Sequence, residues 1–585
     1  MYKTMYMKQI TAIGLLSTLL LPMGAAAQTQ HNDTTLRRTV VVEQTYNADI
    51  LDARKINVLP AVEPLKATHH EVVYDQSLRP AREIPADTLH PFAGAEKQLR
   101  VLPGYVRAGY GSNGNLDLAA AYRLQLSERD ALAIDFGLQG MKYDSIHAYR
   151  TRVALDYRHR FNRFDFRTAA HFGLNNFSRL PYYGIHNQKY VSGDLHIGAN
   201  SKGFGKNVKG GFSTTSTEAE ASSDALQWQA ETNLMLYQRY FIGNQNNTLT
   251  AQFIPGRITA TEALVRTRGE ALLPLDEQSR AGLRLAMDNL FYKKLPWKDV
   301  TSLDLNPYYE YHTDALLLRA GVHVGLAFGS GKAFRVAPDL YAGYTFSGSH
   351  QLYAQARGGR LQNDFRRLES LNPYGEFDLM PRQLDATYES LNASVGYKAS
   401  PTDNLWIHLF AGYQMLDNDL CIQSDGTPAN QTFLPTWENT DTRNVYVGAE
   451  AGYAYRQLFK FSASATYRNW KEQGLDEEQK PFSEHLYYKP ELQADVHVDI
   501  CPITPLTVTV GYQHESRTGL DDSNVTLIES TPASISNLYA QAQYAFLNRL
   551  TVYTRMGNLL NKSYQIYPFY PAQGFHVIGG VSLRF

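Results

Sequence analysis

The sequence predicts an all-β protein: a transmembrane antiparallel outer-membrane β-barrel of about 22 strands behind a short N-terminal periplasmic arm. Three observations predict it. The first 27 residues read as a secretory signal, and no later stretch reaches the ~18 consecutive apolar residues of a membrane helix. From residue 99 to 585, segments of roughly 10–15 residues alternate apolar and polar side chains, longer than the ~5–6 residues of a soluble strand. The chain is also rich in ring and small residues, with 39 Tyr, 26 Phe and 42 Gly but only 2 Cys in 585 residues.

Composition excludes several classes. With Lys+Arg 56 and Asp+Glu 57, the net charge is −1, which excludes a basic nucleic-acid binder. Two cysteines exclude a disulfide scaffold and a Cys-rich zinc module. A mean hydropathy of −0.37 excludes a helical membrane protein. A β-propeller would show a repeat of ~40–50 residues, and none is present.

The elements follow in order. Lys3 and Lys8 precede an apolar run from Ile10 to Leu21, then Pro22 and Gly24-Ala25-Ala26-Ala27. This reads as a signal peptide, residues 1–27, with cleavage expected near Ala27. No Cys stands at the cleavage site, so a lipid anchor is not expected. Residues 28–98 form an extended arm, periplasmic or inserted in the lumen, punctuated by Pro60, Pro64, Pro80, Pro85 and Pro91. Its Thr39-Val40-Val41-Val42 stretch can pair as an added strand or be an ordinary β-prone segment.

Residues 99–585 form the barrel. Leu316, Leu318, Ala320, Val322, Val324, Leu326 and Phe328 fall on one face, with Arg319 and His323 on the other. The same period of two puts Leu492, Ala494, Val496, Val498 and Ile500 against Asp495, His497 and Asp499. It puts Tyr149, Val153, Leu155 and Tyr157 against Arg150, Arg152, Asp156 and Arg158. An Arg or Lys facing lipid at mid-membrane costs about 2–4 kcal/mol, so the charged face is the lumen. The lumen candidates are therefore Arg150, Arg152, Arg158, Arg319, Asp495 and Asp499, with Asp156, Arg555 and Arg584 beside them. A basic inner ring favours anionic solutes, and a bracing network is the equal alternative.

Short turns are read at Ser127-Glu128-Arg129-Asp130, Asn162-Arg163, His312-Thr313-Asp314, Pro401-Thr402-Asp403 and Leu547-Asn548-Arg549. Long loops are read at 360–384, 416–442, 471–485 and 517–534, the barrel's usual asymmetry of periplasmic turns and outer loops. Between 201 and 277 the pattern weakens: 203–223 and 258–275 read as loop or strand. Aromatics near strand ends (Tyr182, Tyr183, Trp297, Tyr308, Tyr309, Trp437, Trp470, Tyr487, Tyr488, Tyr567, Phe569 and Tyr570) fit interfacial girdles, with a sugar-binding platform as the alternative.

Catalytic patterns are missing: there is no Gly-x-Ser-x-Gly, no His-Glu-x-x-His and no phosphate loop. No catalytic residue, metal site or cofactor is expected. His69-His70, Glu477-Glu478 and Asp521-Asp522 read as solvated pairs. Cys421 and Cys501 lie toward opposite barrel ends, too far apart to bridge.

The C-terminus carries a family resemblance. The run Gly557-Asn558-Leu559-Leu560-Asn561-Lys562-Ser563-Tyr564, then Tyr570-Pro571-Ala572-Gln573-Gly574-Phe575, then a last amphipathic strand ending in Phe585, resembles the C-terminal region of TonB-dependent receptors. Leu560 stands where the family has Phe, Gln573 where it has a second Pro, and the family's Arg is missing. The resemblance implies that Phe585 is the signal read by the barrel-assembly machinery. It implies that Thr39-Val40-Val41-Val42 is a TonB-box-like element, with TonB as a partner. The family also carries a plug domain larger than residues 28–98. Two functions follow: a barrel moving or receiving a solute across the outer membrane, or a plugless barrel serving as a subunit of an outer-membrane complex with a periplasmic or surface lipoprotein. Outer-membrane lipid is a partner in both, and nucleic acid in neither.

Overall fold

A computed structural model describes residues 102–585, apart from 144–145, 179–184, 203, 205–225, 244–256, 348, 375–382, 425–434, 476–480, 483–485, 487, 518–532, 547–548 and 568–569. The expected signal peptide (1–27) and arm (28–98), with Thr39-Val40-Val41-Val42 and His69-His70, lie outside the described residues. So do Glu477-Glu478 and Asp521-Asp522.

Alternating side chains make strands because successive residues of an extended chain point to opposite faces. The strands are β1 (Gly104–Gly111), β2 (Leu116–Gln125), β3 (Asp130–Tyr143), β4 (Ile146–Arg160), β5 (Phe164–Ser178), β6 (Ile185–Ser201), β7 (Gln227–Gly243), β8 (Arg257–Pro274), β9 (Ser279–Lys293), β10 (Val300–His312) and β11 (Leu316–Phe328). They continue as β12 (Phe334–Phe346), β13 (His350–Leu361), β14 (Thr387–Thr402), β15 (Leu405–Ser424), β16 (Pro435–Tyr455), β17 (Phe459–Leu475), β18 (Pro490–Ile503), β19 (Leu506–Arg517), β20 (Ile535–Phe546), β21 (Leu550–Gly557) and β22 (His576–Arg584). The weak region 258–275 is therefore strand β8. Each strand pairs antiparallel with its neighbour in sequence, and β22 pairs back onto β1, closing a barrel of 22 strands. Closure leaves no open edge. At the seam, Gly104 N–H donates to Phe585 O at 2.8 Å, and Phe585 N–H donates to Gly104 O at 3.0 Å.

An even strand number returns β1 and β22 to the same end. That end holds the short turns, such as 126–129, 313–315, 403–404 and 504–505. Ser127 Oγ accepts the Asp130 N–H at 3.1 Å, and Thr313 Oγ1 accepts the Leu316 N–H at 3.0 Å. One long connection, 202–226, also joins its strands at this end. The other long connections, including 362–386, 476–489, 518–534 and 558–575, are at the opposite end.

The outer face is apolar. Leu155, Leu318, Leu340, Val395, Val447 and Val581 point outward and are exposed. Aromatic pairs ring the short-turn end: Phe161 with Phe164, Tyr344 with Phe346, Tyr455 with Phe459, Tyr544 with Phe546, and Tyr122 with Phe585. Rings with one apolar and one polar edge suit a headgroup boundary.

One expected loop is mostly strand, and a second begins as strand. β15 and β16 stay paired from Leu405↔Tyr453 up to Ser424↔Pro435, so only 425–434 of the expected loop 416–442 joins them. β17 runs on to Leu475 inside the expected loop 471–485. Strands that continue past the apolar belt lose the need for one apolar face, so their alternation fades while their hydrogen bonding continues.

Candidate functional site

The lumen is the candidate site, and at its long-loop end two connections of the protein's own chain fold inward. The connection from β13 to β14 folds inward and forms a short helix, α1 (Phe365–Leu371). Asp364 caps it by accepting the Arg367 N–H at 2.8 Å. Phe365 and Leu368 are fully buried inside the barrel. The Phe365 ring lies 5.6–5.8 Å from those of Tyr237, Tyr292 and Trp297.

The barrel wall grips this helix with polar groups. The Glu262 carboxylate of β8 accepts the Phe365 N–H at 3.0 and 3.2 Å. Arg266 reaches Asp364 at 3.5 Å while holding Asp288 of β9 at 3.0 Å. Arg366 forms a two-armed ion pair with Asp194 of β6. Glu369 accepts from Asn175 of β5 and from Tyr237 Oη of β7, the latter at 3.0 Å. Tyr190 Oη donates to Pro373 O at 2.5 Å. Five adjacent strands, β5 to β9, thus hold one helix.

The C-terminal connection packs against the same inward segment. Tyr374 stacks on Tyr570 with centroids 3.5 Å apart and planes 9° apart, and Tyr567 meets Tyr374 edge-on at 5.6 Å. The family-like Asn residues shape this connection. Asn558 Nδ2 donates to Lys562 O and Gln573 O at 2.8 and 2.9 Å, and Asn561 Oδ1 accepts the Phe575 N–H at 2.8 Å. Both asparagines have positive φ, 47° and 48°, a conformation their short amide side chains tolerate. From the β17–β18 connection, Tyr488 Oη donates to Gln565 Oε1 at 2.6 Å. Arg517 donates to Gln565 O and Ile566 O at 2.6 and 2.9 Å. Lys489 pairs with Asp419 and lies over the Trp470 ring at 4.7 Å. Burial pushes this ammonium's pKa down, but the Asp419 carboxylate pushes it up further, to above the ordinary lysine value.

Away from these inward connections the lumen wall is charged and mostly paired. Arg319 bridges Glu310 at 3.2 Å and Asp339 at 2.7 Å, with its guanidinium 3.9 Å from the centre of the Tyr308 ring. Asp156 takes Arg158 at 3.1 Å and Arg167 at 2.5 Å. Arg150 lies over Phe177 at 5.6 Å. Arg152 stands between Gly137 and Gly173 on the neighbouring strands. Asp495 meets His497 at 3.2 Å, and Asp499 accepts from Thr509 Oγ1 at 2.7 Å. Arg555 reaches Asp117 at 3.0 Å, and Arg584 pairs in register with Tyr105 at the seam. Arg150, Arg152 and Arg158 are on β4, Arg319 on β11, and Asp495 and Asp499 on β18. They do not converge on one site, because about a third of the circumference separates each set.

The girdle expectation is corrected. Trp297, Trp437, Tyr567 and Tyr570 belong to the buried cluster inside the barrel, and Tyr308 is on the lumen wall. Tyr488 and Trp470 pack beside Arg517 and Lys489. Tyr309 alone of the set's described members is an exposed outward ring, and Tyr182, Tyr183, Tyr487 and Phe569 lie outside the described residues. The inward tyrosines cover glycines of the next strand. A Cβ on Gly282 or Gly321 would come within 2.1 or 2.6 Å of Tyr308, and one on Gly396 within 2.4 Å of Tyr353. That pairing depends on register, which the sequence does not display.

Phe585 lays its ring over Gly104, where a Cβ would lie 2.4 Å from it. Cys421 is buried on β15 rather than in a loop, Cys501 is on β18, and both are free thiols. Among the described residues, no group of three or more His, Cys, Asp or Glu side chains is placed to hold a metal ion.

No protein-family model matches the chain, and no curated protein sequence matches it. Solved structures do. The FrpB iron transporter from Neisseria meningitidis superposes with a TM-score of 0.61 at 11% identity, over 82% of this chain and 81% of that one. The copper transporter OprC gives 0.57 at 13% identity, over 84% and 82%. The closed form of the ferric-catecholate import receptor Fiu from E. coli K12 gives 0.56 at 10% identity, over 83% and 82%. The likeness is one of fold: this chain has the closed 22-strand barrel of TonB-dependent receptors.

Proposed function

We propose that this chain is an outer-membrane receptor or transporter of the TonB-dependent type, with an outer mouth held shut by its own loops. The observation that carries the reading is α1, drawn into the lumen and held by β5 to β9 while Tyr374 stacks on Tyr570. A barrel of this size encloses a wide lumen that needs a stopper. Solute passage would require α1 to leave the wall. In this reading residues 1–27 are removed on export and residues 28–98 reach TonB through Thr39-Val40-Val41-Val42. Phe585 presents the last strand to the assembly machinery. Arg150, Arg152, Arg158, Arg319, Asp495 and Asp499 line the path. The role is transport and not catalysis.

Single-channel conductance in a planar bilayer tests it. The intact protein should be silent. Glu262→Gln with Arg366→Ala should raise current bursts, and removal of residues 28–98 in that background should raise them further. A large steady current from the intact protein would reject the closed mouth.

A further inference from the structure

On the outward face of β16 and β17, two cations stand directly opposite each other: Arg443 pairs in register with Lys471. Arg443 shares its face with the exposed Val445 and Val447, and Lys471 shares its face with the exposed Tyr467. Among the described residues, neither side chain has a hydrogen bond or an ion pair. Like charges directly opposite on one face of a sheet destabilise it. In the same row, the neighbours on β14 and β15 are Leu391 and Met415, so the charge is confined to this pair of strands. One row further toward the loops stand Asp441, whose Oδ1 accepts the Asn418 N–H at 2.9 Å, and the neutral Gln473.

The depth of the pair follows from the register. Twelve residues separate Arg443 from Tyr455 and Lys471 from Phe459, the aromatic pair at the short-turn end. At ~3.3 Å per residue and a tilt of roughly 40°, that is about 30 Å along the membrane normal. The apolar band of such a barrel is about 25 Å tall, so the two cations stand at the depth of the outer leaflet's phosphates.

Below them the same outer face carries an apolar hollow of about 660 Å³. Ala411, Ala449 and Ala465 leave room there beside Leu409, Val447 and Tyr467. In register, Ala411 meets Val447 and Val447 meets Tyr467, while Leu409 meets Ala449 and Ala449 meets Ala465. Large side chains thus border small ones, and the small ones open the hollow. Val447 is four residues from Arg443, which puts the hollow about 10 Å deeper in the membrane than the cations. Any hydrocarbon can fill it, but only a lipid carrying a phosphate also answers the paired cations. A guanidinium and an ammonium bind phosphate oxygens by charge-assisted hydrogen bonds, and a shared anion relieves their repulsion.

We propose that this face of β15 to β17 is a docking site for an anionic lipid of the outer leaflet, its phosphate shared by Arg443 and Lys471 and an acyl chain lying in the hollow. The site is on the outer wall and does not depend on what crosses the lumen.

The test uses the full chain in a neutral detergent and native mass spectrometry with three probes. Phosphatidic acid carries phosphate and acyl chains, diacylglycerol only the chains, and inorganic phosphate only the anion. Phosphatidic acid should leave one retained molecule per barrel at concentrations where the other two leave none. Arg443→Gln with Lys471→Gln should weaken retention roughly tenfold or more, and Arg443→Lys should keep most of it. Ala449→Phe faces lipid and fills the hollow, so it should weaken retention with both cations in place. Lys293, on the same outward face of β9 as the exposed Phe291, is the control, and Lys293→Gln should change nothing. Heat-modifiable gel mobility confirms that each variant remains a folded barrel. Equal retention of phosphatidic acid and diacylglycerol overturns the proposal. So does retention that the double variant or Ala449→Phe leaves unchanged, or an equal loss on Lys293→Gln. Retention of inorganic phosphate alone would make the pair a free-anion site and overturn the lipid. Conductance of the α1-releasing variant bears on the gate and leaves this result untouched.

Discussion

At the residue scale, Asp117 shows what barrel closure demands. Its side chain is 4% exposed, and it accepts from Arg107 at 2.9 Å, Arg555 at 3.0 Å and Tyr553 Oη at 3.2 Å. Removing the carboxylate strands two guanidiniums in the wall. Asp117→Ala should therefore destabilise by about 3–5 kcal/mol, read as a lower urea midpoint of the refolded barrel, and Asp117→Asn by less. Lys489 gives a pH test. Because Asp419 raises its pKa above the ordinary lysine value of 10.5, the stabilisation is fully present below that value and lost as pH rises through the folded one. Trp470 fluorescence should stay constant from about pH 6 to 9 in the wild type and change on Lys489→Met. The sequence marked Arg555 as lumenal but gave no hint of Asp117, because 438 residues separate them and only closure joins them.

At the element scale, strand β11 was legible to its ends: the alternating run Leu316 to Phe328 is the observed strand. There both faces have different solvents, so the pattern is sharp. Helix α1 was not legible. Its seven residues carry Phe365, Leu368 and Leu371 at helical spacing, but two turns inside a polar loop give no periodic signal. Its burial is tertiary, and a test follows. With Cys421 and Cys501 replaced by Ser, Leu368→Cys should resist a water-soluble maleimide, and Glu262→Gln should make it react. The aromatic-over-glycine contacts give another. Gly321→Val would drive a branched side chain into Tyr308 Cβ at 2.6 Å and Pro307 O at 3.0 Å. The cost should be about 1–3 kcal/mol, lowering the urea midpoint.

At the scale of the whole molecule, the strand number and architecture followed from segment length and alternation, since the bilayer fixes how long a strand must be. The inward-folded connections did not follow, because their partners lie on distant strands. The prediction here is physiological as well as electrical. Cells producing the Glu262→Gln, Arg366→Ala protein should take up large hydrophilic antibiotics faster than cells producing the wild type, measured as a lower inhibitory concentration.

The seam between β1 and β22 has a consequence for synthesis. The first strand, β1, is completed only by β22, at the far end of the strand order. Without β22 in place, the lateral edges of β1 and β21 are unsatisfied, and a membrane offers them no water as a substitute. A stop codon before His576 removes β22 and leaves β1 and β21 without their shared partner. Such products should lack the heat-modifiable gel mobility of a closed barrel and not behave as shorter, weaker versions of the protein.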